Sequence, residues 1–241
     1  MQDCVIFIVL QMKAFVYTHT TLIGETDLRP GDTGMGGLYG TFQPNDYYYW
    51  HVRPLVRRLW AGKPDHREWQ ALRLNVQLEN GCFLAPSGGY SICDLAALPD
   101  DPVTINIAGV HYFIIEDFFK TDPPQRFLLD PWDTISIEQK IGLENELARE
   151  LKREGNAAQQ RTAGNRHVLA DYECSAFARD IRSDDVLFAV HNRMHPANQF
   201  ATVHLTWNPE STVHWPETSF FESFGSFKEE QMYPDASEYE P

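Results

Sequence analysis

The stretch Asp184–Trp207 reads DDVLFAVHNRMHPANQFATVHLTW. Two apolar runs, Val186–Val190 and Phe200–Trp207, flank a polar segment, His191–Gln199. The second run is rich in β-branched and aromatic residues and alternates. Phe200, Thr202, His204 and Thr206 fall on one side, and Ala201, Val203, Leu205 and Trp207 on the other. A period of two is the signature of a strand. Asn192, Pro196 and Asn198 between the runs are turn residues. The stretch therefore predicts two antiparallel strands with a long connection, at the centre of a C-terminal domain.

Working outward, a further strand is expected over Val168–Ala178, ahead of this pair. Ser136–Arg153 predicts a helix, with Ile137, Ile141, Leu147, Ala148 and Leu151 as its apolar stripe and Glu144 as a polar intruder. Glu146 and Glu150 fall on its charged face, and Ser136 with Gln139 forms a capping box. Gly155–Asn165 is polar and reads as a loop. After the central pair, Glu210–Pro216 reads as a loop and Phe220–Met232 as an amphipathic helix carrying Phe221, Phe224 and Phe227. Tyr233–Pro241 reads as a solvated acidic tail.

The N-terminal half mixes strands and helices without regular alternation. Strands are expected at Ala14–Thr18, Ala71–Leu78, Cys82–Ala85 and Val103–Ala108. Glu79-Asn80-Gly81 is a hairpin turn. Gly24–Gly40, GETDLRPGDTGMGGLYG, reads as a glycine-rich loop. Its Gly34-Met35-Gly36-Gly37 core fails as a phosphate loop, because no Lys-Ser/Thr follows. Tyr47–Trp60 predicts a helix capped by Asn45 or Asp46, with Pro54 forcing a late start or a kink. Ile114–Phe119 reads as a short helix and Asp94–Leu98 as one helical turn. Val5–Leu10 is apolar and reads either as a first strand or, with residues 1–11, as an upstream extension. It is too short to span a membrane and lacks the flanks of a secretory signal.

The expected class is α+β: two small mixed domains, each an antiparallel sheet packed with helices. The expected boundaries are 1–120, a linker at 121–135 that holds three prolines, and 136–241.

The 241 residues carry a formal net charge of −14. Residues 1–120 hold 13 acids and 9 bases, and residues 121–241 hold 21 acids and 11 bases. Such a field repels nucleic acid and anionic membrane and attracts basic proteins. Arg53, Arg57, Arg58 and Arg67 accordingly read as a solvated helix face. Cys4, Cys82, Cys93 and Cys174 show no metal-site or disulfide spacing and read as reduced thiols, consistent with a cytoplasmic protein.

No catalytic motif stands out. His191-x-x-x-His195 has the spacing of two metal ligands, but it lies in a turn-rich segment with Pro196 following and no glutamate joining it. His204 reads as a sheet histidine before a general base. Asp184-Asp185 suits a turn as well as a cation. No catalytic residue, metal site or cofactor is expected.

The segments DDVLFAV, FATVHLTW and HWPETSFFESFGSF resemble a recurring bacterial domain in which a Val-His-Leu-Thr-Trp strand precedes Trp-Pro and an aromatic-rich segment. Here those positions are Val203–Trp207, Trp215-Pro216 and Phe220–Phe227. The N-terminal part, with Ile23-Gly24, Met35-Gly36, Phe42-Gln43-Pro44 and LRLNVQLENG, is similar to small bacterial proteins found beside secreted toxins. What the resemblance implies is an immunity-type protein that binds and neutralises a cognate protein toxin. One candidate toxin is a nuclease effector of a contact-dependent or type VI secretion system. It implies no catalytic residues. The expected partner contacts are the acids Asp184, Asp185, Glu229, Glu230, Asp235, Glu238 and Glu240. Two other classes stand beside this reading: a small hydrolase or metal-dependent enzyme using His191, His195 or His204, and an adaptor without a toxin.

Overall fold

A computed structural model describes residues 10–62, 66–152, 166–192, 194–197, 199–208 and 214–239. Cys4, Gly155–Asn165, Asn198, Glu210 and Glu240 lie outside the described residues, as does nearly all of Val5–Leu10. The fold is α+β, with one antiparallel sheet in each of two compact units, Met1–Arg126 and Phe127–Pro241. The division falls inside the expected linker. Residues 127–135 are packed: Phe127, Leu128, Trp132 and Ile135 are buried in the second unit.

In the first unit the strands are β1 (Met12–Thr18), β2 (Thr21–Pro30), β3 (Leu38–Pro44), β4 (Leu74–Leu78), β5 (Phe83–Leu84), β6 (Gly89–Cys93) and β7 (Thr104–Ala108). Their order is β5-β4-β1-β2-β3-β7-β6. The expected Gly24–Gly40 loop is corrected: most of it is strand. Its glycines serve close packing between strands. A Cβ on Gly24 would lie 2.6 Å from the Phe42 ring, and one on Gly40 would lie 2.3 Å from Thr26 Oγ1. Only the Thr33–Met35 turn, capped by the Asp32 carboxylate, separates β2 from β3 as a short helical piece.

The expected helix at 47–60 forms in two parts. Tyr48–Val52 is a π-helical turn and Arg53–Ala61 is α1. Pro54 follows closely on that π-helical turn, and the irregular turn takes up the break its missing N–H makes in the helix. Asn45 Oδ1 accepts the Tyr48 amide at 3.1 Å, as the cap reading expects. The strand expected from Ala71 starts later, at Leu74, because His66–Ala71 forms α2. The 79–81 turn keeps only Gly81 at positive φ, +88°, with its amide on Leu78 O. Asp94–Leu98 is a turn rather than helix. Tyr112–Ile114 (α3) runs into a π-helical turn, Ile115–Phe119.

Asp94, buried, gathers the Tyr48 hydroxyl (3.1 Å), Arg53 (2.9 Å) and Arg57 (2.8 Å). Arg58 pairs with Glu68. Three of the four arginines expected on a solvated face are therefore neutralised by acids of the same unit. Burial first, and then Asp94, push the Tyr48 hydroxyl far above its usual range.

The second unit holds β8 (Trp132–Asp133), α4 (Ile137–Lys152), β9 (Glu173–Asp180), β10 (Asp185–His191), β11 (Phe200–His204) and β12 (Glu217–Phe221). After these come α5 (Phe224–Phe227), a π-helical turn (Lys228–Met232) and α6 (Tyr233–Glu238). The sheet order is β12-β11-β10-β9-β8, all antiparallel. The central pair forms as expected, with Val186 opposite Val203 and Phe188 opposite Ala201. It ends at His204, not Trp207. Trp207 takes φ +56°, and Glu150 Oε1 accepts the amides of Thr206 (3.1 Å) and Trp207 (3.0 Å).

Four further expectations shift. The strand expected over Val168–Ala178 is β9, which begins at Glu173. Phe220 and Phe221 belong to β12, and helix resumes at Phe224 behind the Ser223 cap. Phe127, Phe177, Phe200, Phe224 and Phe227 form a continuous aromatic core. The acidic tail is not free, since Asp235 accepts Trp132 Nε1 at 2.8 Å and pairs with Arg182 at 3.0 Å. The buried face of α4 is also displaced. Ile137, Lys140, Leu143, Glu146, Leu147 and Glu150 are buried, so Glu146 and Glu150 leave the expected charged face. The reason is that β9 and the segment after β11 present polar groups needing partners. Lys140 pairs with Glu144 and donates to Ser175 Oγ at 2.6 Å, while Glu144 accepts the Ala176 amide at 3.0 Å.

Candidate functional site

A cleft of about 530 Å³ opens on the second unit over β10, β11 and β12 and the π-helical turn 228–232. Strand register builds it. Asp185 lies opposite His204, and His204 lies opposite Glu217 on the other side. One step along, Thr202 lies opposite Ser219. Period-two alternation sends Thr202 and His204 to the same face of β11, and Glu217 and Ser219 to the same face of β12. Glu230 and Gln231 close the cleft from the helical side.

Asp185 Oδ1 lies 2.9 Å from His204 Nδ1. Ser183 Oγ donates to Asp185 Oδ2 at 2.8 Å, so the carboxylate is held at both oxygens. Trp215 meets the His204 ring edge-on at 6.3 Å between centroids. Thr202 Oγ1 donates to Gln231 Oε1 at 3.1 Å, tying the sheet to the helical turn. Among the described residues the lining contains three carboxylates, Asp185, Glu217 and Glu230, and no lysine or arginine. Its chemistry suits a positively charged group, and the oriented imidazole could exchange a proton with whatever binds.

The acids expected to contact a partner separate. Asp185 and Glu230 line the cleft. Asp184 lies next to it in sequence but accepts Trp207 Nε1 at 3.0 Å. Asp235 is engaged with Trp132 and Arg182. Glu229 and Glu238 are exposed outside the cleft lining, and Glu240 is outside the described residues. The three histidines separate too. His204 is in the cleft, His191 ends β10, and His195 stacks on Tyr172 at 6.3 Å. Among the described residues no group of three metal-ligating side chains converges.

Thr202, Glu217, Ser219 and Gln231 were not singled out as site residues by sequence reasoning. The alternation Glu217-x-Ser219-x-Phe221 is the signal that could have found Glu217 and Ser219, masked by the helical spacing of Phe221, Phe224 and Phe227.

A second cavity, about 270 Å³, lies on the first unit between the Gly31–Leu38 turn and β6 and β7, with Tyr39 and Tyr90 at its wall. Cys82 and Cys174 are poorly suited to nucleophilic work. Burial holds Cys82 well above its usual range, and burial with Glu144 pushes Cys174 up to about 12. No helix among the described residues is long and apolar enough to cross a membrane. Comparison with protein-family models, with curated proteins and with solved structures finds no match to this chain.

Proposed function

We propose that this chain is an immunity-type binding protein, whose C-terminal unit presents an acidic cleft to a basic, cognate protein toxin and neutralises it by occupying its surface. One observation carries the reading: Asp185, Glu217 and Glu230 border one open cleft that holds no lysine or arginine among the described residues. The surrounding unit carries 20 acids against 10 bases over residues 127–241. Such a field accelerates encounter with a basic surface and suppresses acidic competitors. An acidic protein face can stand in for a phosphate backbone, which suits a nuclease toxin.

Co-expression with each neighbouring gene tests the idea. Rescue of growth, co-purification, and an affinity that falls as salt rises are the expected results. A neighbour whose toxicity is indifferent to this chain removes the immunity reading. Binding indifferent to salt and to Glu217→Gln with Glu230→Gln removes the cleft from it.

The Asp185–His204 hydrogen bond supports a second reading, hydrolysis with His204 as general base beside the hydroxyls of Thr202 and Ser219. Turnover of a chromogenic ester that disappears with His204→Ala, or metal retained by the purified protein, would promote it. The adaptor class is favoured if a partner binds the cleft and has no toxicity.

A further inference from the structure

Ser219, Phe220 and Phe221, consecutive residues of β12, border the cleft, and Glu217 at the start of the same strand borders it too. That strand stands at the end of its sheet, and among the described residues β11 is its one strand neighbour. An end strand offers a row of backbone donors and acceptors to an incoming chain.

We infer that the cleft receives an extended, basic segment of the partner, laid along β12 as an added strand. The inference rests on the proposed reading of the cleft as a site for a basic protein. An added strand would run about 4.8 Å from β12. Its side chains would alternate, so lysines or arginines two residues apart would turn together toward Glu217 and Glu230, with Asp185 deeper in. Glu217 on the strand itself discourages apolar strands from pairing there, as charges on sheet ends commonly do. A second copy of this chain is a poor occupant, because its own C-terminal unit carries the same excess of acid.

The test uses the full chain and synthetic capped peptides. One alternates lysine with valine, one alternates glutamate with valine, and one repeats the lysine peptide with alternate amides methylated on the edge that would face β12. Titration calorimetry and backbone amide shifts are the readouts. The lysine peptide should bind, with shifts concentrated at Thr218–Phe221. Amide methylation should weaken it at least about tenfold, the loss of two or three backbone hydrogen bonds. Glu217→Gln and Glu230→Gln should each weaken it about threefold. Equal binding of the methylated peptide, with the charge dependence intact, overturns the added strand and leaves the acidic-cleft reading standing. Absence of any preference for lysine over glutamate overturns both. A concentration-dependent dimer whose shifts map to β12 would seat a second copy there and overturn the inference.

Discussion

Asp185 and His204 face each other across adjacent strands, with Oδ1 2.9 Å from Nδ1. Both side chains are part-exposed, 32% and 42%. Water screens such a pair, so its worth to stability is at most about 1 kcal/mol. Asp185→Ala should leave the urea midpoint nearly unchanged while freeing the imidazole, seen as averaging of the His204 ring resonances. A large loss of stability would mean that the pair holds the sheet together and is not a presented site.

Ser136 and Gln139 satisfy each other's backbone amides. Gln139 Oε1 accepts the Ser136 amide at 2.8 Å, and Ser136 Oγ accepts the Gln139 amide at 3.2 Å. Ser136→Ala should cost about 1 kcal/mol, measured by urea denaturation. Ser136→Asp should recover most of it, because aspartate also accepts at a helix N-terminus.

Glu150 is buried beside Glu146, and among the described residues its Oε2 has no hydrogen-bond partner. Burial, reinforced by Glu146, holds its carboxyl above the usual carboxylate range despite the Trp207 and Thr206 amides. The folded chain thus binds this proton more tightly than the unfolded one. The stability it contributes is present below the ordinary glutamate value and is lost as pH rises from there through the folded value. Glu150→Gln mimics the protonated form and keeps an acceptor for the two amides. It should raise the melting temperature at neutral pH and flatten the pH profile over that window. An unchanged profile would show that Glu150 titrates as it does in the unfolded chain.

Asp235 accepts the indole N–H of Trp132, a residue only 1% exposed. Asp235→Ala strands that donor in the core and removes a partner from Arg182. A loss of about 1–3 kcal/mol is expected, with faster amide exchange across α6. Glu238→Ala, one turn further and exposed, should leave both measurements unchanged. Equal effects from the two would mean that α6 is held by something other than Asp235.

Local chemistry explains which elements could be read in advance. The capping box at Ser136, the Asn45 cap, the apolar run Val186–Val190 and the alternation in Phe200–His204 act over a few residues, and each forms as its pattern dictates. Gly24–Gly40 looks like a loop in sequence yet forms strands, because its glycines answer to cross-strand neighbours, Gly24 to Phe42 and Gly40 to Thr26, which only the β2–β3 pairing brings together. Residues 220 and 221 looked helical because Phe221, Phe224 and Phe227 recur every three residues, yet pairing with β11 holds Phe220 and Phe221 in a strand. The α4 face shifted because its glutamates and lysine serve amides and hydroxyls of distant segments.

The sequence by itself determined an α+β chain with antiparallel pairing at its C-terminal centre, an acidic surface, and the start of its principal helix, since composition and short-range periodicity carry those properties. Only the tertiary structure decided which acids act together. Asp185, Glu217 and Glu230 come from three separate segments, and strand register with the turn at 228–232 brings them around His204. Register is set by long-range pairing and burial, which are properties of the folded whole and not of any stretch within it.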